Sequence, residues 1–85
     1  MAHFNFDVEF RTNEIGPSGK QIIIFELVAR ISDPVRGEFL YPMTAKYTDG
    51  MVLHDIDTLK RDFSHVQLRR NLITSMNVFV KSQVE

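Results

Sequence analysis

"QIIIFELVAR", residues 21–30, is the most apolar stretch of the chain, and its reading decides the fold. As a β-strand it sends Ile22 and Ile24 to one face and Ile23, Phe25, Leu27 and Ala29 to the other. Both faces then need cover. A chain of 85 residues, with 44% apolar and 25% charged side chains, has material for one core. A single domain over residues 1–85 is therefore expected, and the question is which face of this strand it can roof.

The flanking segments continue the period of two. In "HFNFDVEFR", residues 3–11, the residues Phe4, Phe6, Val8 and Phe10 share one face, while His3, Asn5, Asp7, Glu9 and Arg11 share the other. Gly16, Pro17, Ser18 and Gly19 supply loop chemistry before a second strand from about Lys20 to Ile31. Asp33, Pro34 and Gly37 suit a type I turn. A third strand, "EFLYPMTAKY" (38–47), aligns Phe39, Tyr41, Met43, Ala45 and Tyr47. Pro42 cannot donate to a ladder, so this strand is expected at a sheet edge. "TDG" at 48–50 closes the segment. Connections this short predict an antiparallel meander in sequence order, with the second strand central.

Downstream the period changes to 3.6. Ser64 followed by Gln67 has the spacing of a capping box. From there Leu68, Leu72, Ile73, Met76, Phe79 and Val80 gather within an arc of about 140° on a helix of about 18 residues. A shorter helical turn starting near Asp55 or Asp57 would bury Ile56, Leu59 and Phe63. The fold class expected is α+β: a three-stranded antiparallel meander followed by a C-terminal amphipathic helix, βββα, with a possible short extra helix before it.

One helix roofs one sheet face. The row Phe4, Phe6, Phe10, Phe25, Leu27, Phe39 and Tyr41 supplies that core, and Ile22, Ile24, Val28 and Leu40 are left on the other side. Burying four such side chains is worth roughly 1.5–3 kcal/mol each, comparable with the whole net stability of a small domain. The expectation is a protein interface at Ile22, Ile24, Val28 and Leu40, between copies of this chain, as a dimer or higher oligomer, or with another protein. The alternative is that the stems of Asp7, Glu26, Arg30 and Lys46 shield a few tolerated exposed groups.

Other functions find less material. The chain has no cysteine, which excludes disulfides, thiolate metal sites and thiol nucleophiles. "LHDID" places His54 beside Asp55 and Asp57 with no second ligand at metal spacing, so an N-cap aspartate and a surface histidine are expected instead. Ser64 beside His65 has the place of a cap, because helix neighbours do not face each other. No cofactor motif occurs, and the chain reads as non-enzymatic. The N-terminus alternates where a signal peptide would be continuously apolar, and no run reaches the ~20 apolar residues of a membrane span. No membrane partner and a cytoplasmic address are the corresponding expectations.

Charge is near balance, with a net of −1, but it is unevenly spread. Residues 60–81 carry Lys60, Arg61, Arg69, Arg70 and Lys81 against Asp62 alone. Lys60, Arg61, Arg69 and Arg70 are therefore a candidate partner contact. A regulator or inhibitor of phage or mobile-element type, docking on a host protein or nucleic-acid machine through this basic helix, is the second functional reading. Direct DNA binding through the sheet is disfavoured, because Asp7, Glu9, Glu26 and Glu38 would oppose phosphates as strongly as Arg11, Arg30 and Lys46 attract them.

The order of elements, with "FL" (39–40) near the start of the third strand and "RRNLITSM" (69–76) in the helix, resembles the SecB export-chaperone family over about Phe4 to Met76. Val66, Gln67 and Leu68 stand where that family has a Pro-aromatic pair. The resemblance covers the sheet and first long helix. It implies an oligomer with apolar grooves that hold unfolded chains.

Overall fold

A computed structural model describes residues 2–85 of the chain. It is an α+β arrangement of four strands followed by two helices: β1 (His3–Ile15), β2 (Gln21–Asp33), β3 (Gly37–Thr48), β4 (Met51–His54), α1 (Ile56–Asp62) and α2 (Val66–Val84). The strands form one antiparallel sheet in the order β1-β2-β3-β4, the expected meander with an additional strand. Expected as three strands and one C-terminal helix, with a short helix allowed before it, the fold thus gains β4 and realises α1.

The hairpins follow from local chemistry. Between β2 and β3, the Asp33 carboxylate accepts from the Val35 N–H at 3.0 Å and from Arg36 at 2.7 Å, and Gly37 takes the positive φ of 81° that ends the turn. These two donors hold the Asp33 carboxyl below the usual carboxylate range. Between β3 and β4, Asp49 and Gly50 have φ of 54° and 77°, the two left-handed positions of a type I′ turn. That turn closes the pair Thr48↔Met51 and creates β4. A four-residue strand shows barely two cycles of alternation, so "MVLH" carries little periodicity of its own.

The short β4 also corrects the position of β3. It pairs only with residues 45–48, so β3 is interior there and an edge over the remainder of its length. In a two-residue hairpin the closing residue Thr48 points its backbone groups at β4, and Pro42, six residues away, points the same way. Its missing N–H therefore faces the unpaired side and costs no ladder bond.

Both helices pack on one face of the sheet. Phe25, Leu27, Ala29 and Ile31 of β2 are buried there against Leu59, Phe63, Leu68, Leu72, Met76 and Val80, which realises the expected helical arc. Ile56 is exposed and takes no part in this core. Tyr41 of β3 anchors α1: its ring meets Phe63 edge-on at 4.7 Å and its hydroxyl donates to Asp62 at 2.6 Å. Burial and the Asp62 charge push the Tyr41 hydroxyl pKa up to about 12.

One local expectation changes and one holds. Helix α2 is capped by His65, whose Nδ1 accepts from the Leu68 N–H at 3.2 Å; Ser64 is displaced by one position, and Gln67 bonds Asn71 at 3.0 Å in place of completing a capping box. In α1 the expected aspartate cap is present, with Asp55 accepting from the Thr58 N–H at 3.1 Å.

The larger change is in β1. Its register against β2 runs Val8↔Leu27 and then Phe10↔Glu26, so Glu9 has no partner and forms a bulge. One inserted residue inverts every side chain after it. Phe10, expected in the core row, lies instead on the face away from the helices and is 62% exposed. Arg11 swings to the helix side, where its guanidinium covers the Phe25 ring at 5.2 Å.

Candidate functional site: the unroofed sheet face

The sheet face opposite the helices is built by alternate residues of four strands. On β2 it carries Ile22, Ile24, Glu26, Val28 and Arg30. Register places Phe10 and Thr44 beside Glu26, Asp7 and Pro42 beside Val28, and Leu40 beside Arg30. Leu53 lies beside Lys46, which pairs with Ile24, and Met51 lies beside Thr48. No helix of the described residues packs on this face: the helical side chains of both core clusters meet the odd-numbered β2 residues.

All four sequence-selected residues fall on this one face, though with unequal exposure. Leu40 is 66% exposed, whereas Ile22, Ile24 and Val28 are half-buried among their own sheet neighbours. Ile22 rests against the Gly16 turn, where a Cβ on that glycine would stand 3.0 Å from its Cδ1. Phe10, Met51 and Leu53 join them as exposed apolar groups that sequence reading missed. For Met51 and Leu53 four residues held too little periodicity to give a signal; for Phe10 alternation pointed to the other face. The polar members are tied down, with Arg30 Nε 3.1 Å from Asp7 Oδ2 and the Thr44 hydroxyl donating to Glu26 at 3.0 Å.

The basic candidates do not converge as a set. Arg69 donates to the Phe63 carbonyl at 2.9 Å and locks the elbow between α1 and α2. Arg61 Nε donates to Asp62 at 3.2 Å. Lys60 and Arg70 remain exposed.

His54 sits on the helix side of β4, next to a cavity of about 230 Å³ lined also by Tyr41, Met43, Thr58 and Leu59. Both its ring nitrogens are buried without a partner. Burial holds the imidazole below its ordinary pKa, against an opposing pull from Asp55. As pH falls through about 6.5 the unfolded chain takes up the proton first, so stability is full above that value and declines below it. The thermal midpoint is expected to drop between about pH 7 and about pH 5.5, and His54→Leu to flatten that slope in a calorimetric series. Among the described residues no group of three or more His, Cys, Asp or Glu could hold a metal ion, and no helix is long and apolar enough to cross a membrane.

No family model, curated protein or solved structure matches this chain.

Proposed function

We propose that the chain is a non-enzymatic protein-binding module that self-associates through the unroofed face of its sheet. One observation carries this: Phe10, Leu40, Met51 and Leu53 are exposed around Ile22, Ile24 and Val28 on a face that no helix of the described residues covers. An apolar patch rimmed by polar residues marks an interaction site more often than an accident of composition. Two sheets can stack about 10 Å apart with their inner side chains interdigitated, as in a β-sandwich. The chaperone-like form of the proposal, in which such a face holds extended unfolded segments, rests on the resemblance to the SecB family alone.

The regulator reading, with Lys60, Arg61, Arg69 and Arg70 as the docking surface, has less support. Two of its four cations are bonded within the chain. Light scattering coupled to size exclusion tests the main proposal: at tens of micromolar the chain is expected to elute with twice the mass of one copy or more. A strict monomer would overturn it.

A further inference from the structure

We infer that Phe10 is the anchor of this association: the bulge at Glu9 turns an aromatic ring out of the chain's own core, and a second copy covers it. The inference rests on the self-association proposed above. With unbroken alternation Phe10 would share the helix side with Phe4, Phe6 and Val8, and Arg11 would face away from it. The bulge exchanges the two. From the helix side Arg11 reaches the Gln83 carbonyl at 3.4 Å, so α2 extends far enough to have covered a phenyl ring in that place.

For one copy alone the exchange is a loss. It leaves the Phe10 ring 62% exposed, and the arginine that replaces it is itself exposed, with a long hydrogen bond. Bulges re-aim side chains beside functional sites, and a local pattern broken to the detriment of the isolated fold points to a use outside it.

Charge offers no other hold between two copies of this face. It carries Asp7, Glu9, Glu14, Glu26 and Glu38 against Arg30 and Lys46, with His3 at one end. Arg30 is already engaged by Asp7 at 3.1 Å. Two such faces repel, so their attraction comes from apolar groups. Among Phe10, Leu40, Met51 and Leu53 the phenyl ring is the largest, and a few rigid, bulky side chains carry most of the binding energy of an interface. The occupant is a second copy on grounds of area. The molecule is 44 Å long and 22 × 17 Å across, which gives a sheet face on the scale of the ~800 Å² that each partner of a stable interface buries.

Phe10→Ala tests the anchor, with Ile15→Ala as its control. Ile15 is 78% exposed on the same strand, but it pairs with Gln21 and so lies on the other side of the sheet. Sedimentation equilibrium is expected to show Phe10→Ala associating at least about 30-fold more weakly than wild type, and Ile15→Ala matching wild type. Urea midpoints, taken at dilutions where wild type is monomeric, should agree among all three. Added salt should tighten the wild-type pair by screening the like charges. If wild type dimerises and Phe10→Ala keeps its affinity, or Ile15→Ala loses as much, this inference fails and the self-association stands. A Phe10→Ala midpoint as low as that of a core truncation, or a wild-type pair loosened by salt, would overturn the inference as well. If wild type does not associate, both fail.

Discussion

Phe25→Ala is expected to cost about 3–5 kcal/mol, enough to leave much of the chain unfolded at room temperature. Phe25 is 0% exposed, at the centre of the middle strand, and packs in one cluster with Ala45, Met76 and Val80. The Arg11 guanidinium over its ring would lose its support as well. Removing the ring opens a cavity between sheet and helix that neither can close, because each is held in place by its own backbone hydrogen bonds. Guanidinium unfolding monitored by circular dichroism measures the effect. A cost below about 1 kcal/mol would mean that α2 does not rest on β2 as described.

One residue earlier the expected result is of another kind. Ile24→Lys should leave the fold and its unfolding midpoint nearly unchanged while weakening self-association by at least about 100-fold. Ile24 is half-buried, with Thr12 and Lys46 as its cross-strand neighbours on the open face. In a single copy a lysine there extends into water and its stem still covers the sheet. Between two stacked sheets the same ammonium would lose its hydration with no partner, next to Lys46. Light scattering and unfolding on the same samples separate the two effects. An unchanged dimer would move the interface elsewhere, and an unfolded variant would mean that the face is core.

The contrast between neighbours follows from a property of the strand legible in the sequence. "QIIIFELVAR" alternates between a face that the arc from Leu68 to Val80 covers and one that no helix of the described residues covers. The candidate interface was legible to the same extent: Ile22, Ile24, Val28 and Leu40 share the open face, as the period of two required. Phe10, Met51 and Leu53 were not legible as members of it. Each depends on a pairing that a single segment cannot reveal.

Local pattern and turn chemistry determined a great deal of this protein. Alternation defined three long strands, Asp33 and Gly37 defined a turn, and the arc on α2 defined what lies beneath it. These depend on residues close in the chain, whose periods are visible without a partner. Tertiary structure alone decided the rest. The bulge at Glu9 turned Phe10 outward, because register exists only between two strands. β4 formed because Thr48 offered it a ladder; His65 displaced Ser64 as cap because α2 begins where it can lie on the sheet. Arg69 went to the Phe63 carbonyl because the elbow between α1 and α2 brought an unpaired acceptor within its reach.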